Sequence, residues 1–383
     1  MPSEMSSTTL EQLETPALIL DEARMERNIA RMREQARRLG VTLRPHVKTN
    51  KCIEVSRRLM QSPQGPITVS TLLEADHFAK AGVTDILYAV CIAPNKLDHV
   101  MRLQDQGVRL SILLDSMEAA RCVVARAKAA GRPFEVLVEI DSDGHRSGLK
   151  PEAAELLEIG RYLEDNGIPV KGVMTHAGES YNCTTPEALR AMAEQERAAV
   201  VRAAQRLREA GMACPVVSVG STPTALFAQS LDGVTEVRAG VYVFFDLVMA
   251  GIGVCAVDDI ALSVLATVIG HQREKGWTIL DAGWMAMSRD RGTQRQKVDQ
   301  GYGLVCDLDG RPLDDYILVG ANQEHGIMAR RDGRTEGIAY LPVGAQVRIL
   351  PNHACPTAAQ YDHYKLLGPG RTLKAQWPRF SGW

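Results

Sequence analysis

The chain has no long uncharged apolar run, no surplus of one charge and few aromatic residues, at 5%. Each shortage removes a class of function. No segment approaches the roughly 20 apolar residues that a membrane-spanning helix requires. The opening "MPSEMSSTTLEQLETP" is polar and acidic, where a secretory signal is first basic and then apolar; a cytosolic protein is the expectation. With 44 lysines and arginines against 46 acidic residues, there is no broad field to attract nucleic acid or an anionic membrane. The 8 cysteines among 383 residues stand singly, with no CxxC pair. That spacing excludes a compact disulfide framework and predicts reduced thiols packed as small apolar groups. Only Cys355, two residues after His353, has a sequence neighbour that changes this reading.

What is present is a regular alternation. Residues 21–40 carry Met25, Ile29, Met32 and Ala36 at helical spacing and stop at Gly40. Then come apolar, β-branched runs at 42–48, 67–70, 85–90, 109–115, 134–141, 171–178, 214–222 and 236–244. Alanine-rich amphipathic stretches such as 116–131 and 185–211 separate them. Eight strands alternating with helices predict an α/β fold, a (β/α)8 TIM-type barrel over 22–252. The rival is an open doubly wound sheet, and the first strand-helix junction lacks its GxGxxG fingerprint. From about residue 253 to 383 the runs are strand-like without long helices, which predicts a β domain. The "TPALILD" segment (15–21) is expected to lend that domain a strand from 1–21.

In such a barrel the working groups lie at the C-terminal ends of the strands. There the sequence places Lys48, "DSDGHRSG" (141–148), "THAGESY" (175–181), "GSTPT" (220–224) and "AGVY" (239–242). "GSTPT" offers a glycine, hydroxyls and amide N–H groups at a helix start, as a phosphate needs, with Gly240 at the next strand end; taken alone, the segment reads more simply as a helix cap that needs no ligand. A phosphate site and a lysine together suggest a phosphorylated aldehyde held as a Schiff base. Burial and the cations Arg44, His46 and Arg146 are expected to favour the free amine of Lys48, although a solvated lysine is the plain alternative. His353 and Cys355 in "PNHACPT" (351–357) would point to one face of an extended segment and could share a divalent cation. A buried cysteine beside a hydrogen-bonded histidine is the competing reading.

With these motifs in this order, residues about 14–365 resemble the fold-type III pyridoxal-phosphate enzymes of the D-serine dehydratase-like family, which join an alanine racemase N-terminal-like barrel to a C-terminal β domain. The resemblance implies pyridoxal 5'-phosphate and a divalent metal such as zinc, manganese or magnesium. Lys48 looks like the imine-forming lysine and the catalytic base. Gly220, Ser221, Thr222, Gly240, Val241 and Tyr242 look like the phosphate set. Arg146 looks like the arginine at the cofactor's phenolic oxygen, Tyr181 like the residue near the pyridine nitrogen, and His353 and Cys355 like the metal pair. A homodimer is implied as well.

The implied reaction is β-elimination of water from a D-3-hydroxy amino acid, giving an oxo acid and ammonia. "GWMAMSRDRGT" (283–293) and "GANQEHGI" (320–327) look most like members acting on D-threo-3-hydroxyaspartate. D-serine dehydration and aldol cleavage are the alternatives within the family, and the aldolases tend to pair histidine with aspartate where this chain has His353 and Cys355. A cofactor carrier would not need the metal pair. A metal-dependent barrel hydrolase would want an HxH pair on the barrel strands, which is missing. Gln323 and His325 are possible contacts for a substrate carboxylate and equally plausible as ordinary polar residues.

Overall fold

The computed structural model describes residues 8–383 and divides into two compact units, one of residues up to Ala30 with Val241–Ser381 and one of Arg31–Gly240 with the last two residues. The expected division at 252 moves to Gly240. From Phe244 onward the backbone bonds within the β unit, Ala261 N–H to Phe244 O at 2.8 Å and Leu247 N–H to Pro351 O at 3.1 Å. Residues 1–7 lie outside the described residues, so the strand expected from the N-terminal segment is seen as β1 (Ala17–Asp21).

The β unit is built on β1 and β10–β17. Strands β10 (Leu262–Gln272), β11 (Trp277–Leu280), β12 (Leu304–Cys306), β13 (Pro312–Ala321), β14 (Gly326–Arg330) and β15 (Gln346–Leu350) form a ring, because β10 pairs with both β11 and β15. The sheet continues from β10 through β1 to β16 (His363–Leu367) and β17 (Leu373–Pro378). Strand β1 runs antiparallel to β10 and parallel to β16. Leu10, Ala17, Ile19, Leu265, Leu367 and Leu373 form one of its core clusters. Closure of the ring leaves fewer exposed strand edges.

The other unit holds all eight expected parallel strands: β2 (Thr42–Leu43), β3 (Ile67–Val69), β4 (Asp85–Cys91), β5 (Arg109–Leu114), β6 (Glu135–Ile140), β7 (Val170–Thr175), β8 (Val216–Val219) and β9 (Glu236–Val237), in the order β2-β9-β8-β7-β6-β5-β4-β3. Leu87, Leu113, Leu137 and Met174 pack together from four successive strands. The run expected to be one strand over 42–48 shrinks to two residues because Pro45 has no N–H to give. The chain beyond it still closes the barrel. His46 N–H donates to Ala239 O at 2.8 Å on one side, and Val47 N–H to Thr68 O at 2.9 Å on the other.

The crossovers are helical for local reasons. Ser116 caps α5 (Met117–Ala130), which ends at Gly131 in the left-handed conformation. Thr185 caps α7 (Pro186–Glu209), where Pro186 occupies the first turn and needs no hydrogen bond. The other helices before β9 are α1 (Glu22–Arg38), which precedes β2, and α2 (Ile53–Leu59), α3 (Leu72–Lys80), α4 (Leu97–Asp105), α6 (Ala154–Asp165) and α8 (Thr222–Phe227). No helix among the described residues is long and apolar enough to cross a membrane.

Candidate active site

Around the C-terminal strand ends of the barrel, backbone geometry brings distant segments together. Lys48 lies just past the closing segment and is exposed, so the burial expected of it is not what the structure shows. Lys51 is different: its ammonium pairs at 3.2 Å with the buried carboxylate of Glu74. Arg44, expected beside Lys48, is instead bound to Asp85 and Glu236 at 2.8 Å each. The groups that face Lys48 electrostatically are His46 and His176.

Both imidazoles are held neutral. Burial, then Lys48 and Arg238, push His46 well below the usual histidine range. Its Nδ1 is buried without a hydrogen-bond partner. Burial, then Lys48, bring His176 down to about 3, with Arg146 and Arg238 acting in the same direction. His176 Nδ1 lies 2.6 Å from Gly220 O, so the proton sits on Nδ1 and donates to that carbonyl. Arg146, half exposed, has its guanidinium 3.8 Å from the buried carboxylate of Glu139. Tyr181 places its ring 6.3 Å from that of His176.

The "GSTPT" turn shows what holds it. Gly220 is needed for shape: a methyl group there would overlap the Arg238 carbonyl. Its N–H donates to Glu196 at 3.0 Å, as does that of Ala177, and is therefore already engaged. Ser221 caps α8, accepting from Thr224 N–H at 3.2 Å and lying 3.0 Å from the Ser180 hydroxyl. The capping reading is thus realised. It leaves the buried N–H groups of Ser221 and Gly240 with no protein acceptor among the described residues, which fits an anion with several oxygens. Gly240 also admits close approach, since a Cβ there would meet His46 O at 2.8 Å. Thr222 opens α8, while Val241 and Tyr242 begin the next turn, with Tyr242 fully buried.

Sequence reasoning missed several of these groups. Glu196 on α7, Arg238 after β9 and Glu139 at the end of β6 are all buried. Arg238 donates to the Thr175 carbonyl and the Ser218 hydroxyl. Cys91, read as an ordinary small apolar group, gathers with Asp115 and Glu139 so that their donor atoms lie within 4.8 Å of one another. Its thiol donates to Glu139 at 3.0 Å. Burial first, then those carboxylates, hold it protonated.

In the β unit His353 immediately precedes the short helix Ala354–Ala358, so Cys355 lies in a helical first turn. The pair therefore meets across a helix start, not along an extended segment. His353 Nδ1 is 2.8 Å from the Asp290 carboxylate, and the Cys355 thiol is hydrogen-bonded to the same ring. Burial lowers its pKa, but Asp290 and Cys355 outweigh this and raise it to about 11. The buried carboxylate of Asp246 accepts Ala354 N–H at 2.9 Å and Met249 N–H at 3.0 Å, fixing the backbone between the two side chains. A carboxylate on Nδ1 leaves Nε2 as a metal donor, and imidazole plus thiolate suits a borderline divalent cation.

Known proteins agree with this architecture. Residues 20–248 match the model of the alanine racemase N-terminal domain, and 261–367 that of a serine dehydratase domain. The chain is 57% identical to D-threo-3-hydroxyaspartate dehydratase of Delftia sp. strain HT23 over 98% of its own length and 99% of that protein's. The solved structure from Delftia sp. HT23 superposes with a TM-score of 0.96, 57% identity, and coverage of 98% of this chain and 100% of that one. A cysteine-to-alanine mutant of a D-threo-3-hydroxyaspartate dehydratase, solved in the metal-free form, also reaches 0.96, with 56% identity over 98% and 100% of the two chains. D-serine dehydratase of Dictyostelium discoideum is 31% identical over 94% of each chain. Motif order, barrel, β unit and these likenesses converge: the chain belongs to the family that joins an alanine racemase N-terminal domain to a serine dehydratase domain.

Proposed function

We propose that the protein is a dehydratase that takes D-threo-3-hydroxyaspartate to oxaloacetate and ammonia with pyridoxal 5'-phosphate and a divalent metal. The observation that carries the reading is full-length identity of 57% to the Delftia dehydratase. The His353 and Cys355 pair, already hydrogen-bonded to each other, supports it.

Pyridoxal phosphate, when bound, supplies the carbonyl that takes up the substrate amine and the conjugated ring that delocalises the Cα electron pair. In this reading the Lys48 amine would be its covalent partner at rest and would take the Cα proton during turnover. The free amides of Ser221 and Gly240, with Gly220, Thr222, Val241 and Tyr242, form the phosphate set. Arg146 would hold the phenolic oxygen and Tyr181 would lie near the pyridine nitrogen. Neutral His46 and His176 add no further positive charge around Lys48. In the β unit, His353 and Cys355 would hold the cation, which would supply Lewis acidity for departure of the β-hydroxyl, and Asp290 orients the imidazole. The substrate is a small molecule and the assembly a homodimer.

An absorbance spectrum with metal analysis, followed by ammonia and oxo-acid assays on D-threo-3-hydroxyaspartate, D-serine and D-threonine, tests the reading. Lys48→Ala should lose both the lysine-bound cofactor absorbance and turnover, whereas chelation should spare the absorbance and suppress elimination. Full activity after exhaustive chelation, or glyoxylate and glycine as products, would refute it.

A further inference from the structure

We infer that Arg289 receives the side-chain carboxylate of the substrate and thereby selects a dicarboxylic 3-hydroxy amino acid over serine or threonine; the inference rests on the function proposed above. It starts from how residues 287–290 are fastened. The Thr357 hydroxyl donates to Met287 O at 2.7 Å, the Asn352 amide to Asp290 O at 3.1 Å, and the Asp290 carboxylate meets His353 Nδ1 at 2.8 Å. All three partners belong to the turn that carries His353 and Cys355. Between the clamps Ser288 has φ 75° and ψ 166°, a conformation that non-glycine residues rarely hold unless their surroundings enforce it.

The residue presented by this clamped turn is Arg289. It is exposed, and its guanidinium lies over the Trp284 ring at 5.1 Å from the centroid. The ring orients the cation without neutralising it. Among the described residues no carboxylate pairs with Arg289, whereas Arg291, two residues on, is matched by Asp299 at 2.7 Å. The 322–325 loop lies beside the same turn, with Met285 N–H on Gln323 O at 3.1 Å. Gln323 carries no charge.

The chemistry asks for such a charge. In 3-hydroxyaspartate the leaving hydroxyl and the side-chain carboxylate sit on the same carbon. A hydroxyl directed to His353 and Cys355 therefore brings that carboxylate to the neighbourhood of the metal pair. Arg289 adjoins Asp290, which holds His353, and a guanidinium can take a carboxylate through two parallel hydrogen bonds. Serine and threonine carry hydrogen or methyl at this position and need no cation.

The test uses metal- and cofactor-loaded wild type, Arg289→Gln and Arg289→Lys. Steady-state rates are measured on D-threo-3-hydroxyaspartate and D-serine, and malate, which has a hydroxyl and a carboxylate on one carbon, is titrated by calorimetry. Arg289→Gln should lower kcat/KM for hydroxyaspartate about 10- to 100-fold more than for D-serine. It should weaken malate binding at least about tenfold, with lysine restoring part of both. Equal losses on the two substrates, or unchanged malate affinity, overturn the inference while the proposed function stands. A wild type that releases ammonia from neither substrate overturns both.

Discussion

Glu196 offers the sharpest test of how the strand ends are held in place. Its buried carboxylate accepts the N–H groups of Ala177 and Gly220 at 3.0 Å each, joining the turn after β7 to the turn after β8. Glu196→Ala leaves two buried amides without acceptors, at about 1–3 kcal/mol each. It also removes one methylene from the core, worth roughly 0.8 kcal/mol. Relief from burying a carboxylate works the other way, so a net loss of about 3–5 kcal/mol is expected. Glu196→Gln keeps an acceptor oxygen and should cost only about 1 kcal/mol. Hydrogen exchange resolved to peptides separates local from global effects. In the alanine variant the segments 170–182 and 216–228 should exchange about two decades faster, with the β4 and β5 segments much less affected.

The pH dependence follows from the same group. Burial, the largest influence, raises the Glu196 pKa against the hydrogen bonds that lower it. Its contribution to stability is therefore complete below the ordinary glutamate range and is lost as pH rises through the raised folded value. Glutamine has no such loss. The deficit of Glu196→Gln should shrink as pH rises above the ordinary glutamate range in denaturant titrations. A deficit that grows with pH, or a glutamine variant as damaged as alanine, would refute this account.

Gly220→Ala should be clearly more damaging than Glu196→Gln, because its methyl group would overlap the Arg238 backbone rather than a movable side chain. The expected loss is about 3 kcal/mol or more, read as a lower denaturation midpoint or as insoluble protein. Asp290→Asn should weaken metal binding about 10- to 100-fold in a chelator competition, because the carboxylate that fixes the His353 ring is replaced. An unchanged affinity would remove Asp290 from the site.

The eight barrel strands were legible because parallel strands covered on both faces read as continuous β-branched runs. The boundaries were less so. Pro45 cut the regular ladder of the first strand without preventing barrel closure, and backbone bonds from Phe244 onward assigned 241–252 to the β unit. Lys48 was singled out by its position after a strand, while its exposure, and the engagement of Lys51 with Glu74, depend on tertiary neighbours. His353 and Cys355 were visible as a spacing. Their actual meeting depends on a helix start fixed by Asp246, which lies 107 positions before His353 by numbering.

The missed groups show where a sequence can say more. Glu196 sits among Leu189, Ala193, Val200, Ala203 and Leu207, the buried stripe of α7. A lone carboxylate at helical spacing inside such a stripe signals a buried acceptor, since burial without partners would be too costly. Arg238 and Glu236 alternate with Val237 and Ala239 in "EVRAGVY", which marks two charged side chains on one face of a barrel strand. Both are indeed buried. Asp290 had no such signal: among the charges of "SRDRGTQRQK", nothing in spacing separates it from a solvated residue. Its importance comes from Asn352, which holds its carbonyl, and His353, which holds its carboxylate. Periodicity thus exposes a charge that breaks an apolar pattern, whereas a charge in a polar loop becomes legible only when the partner that clamps it is known.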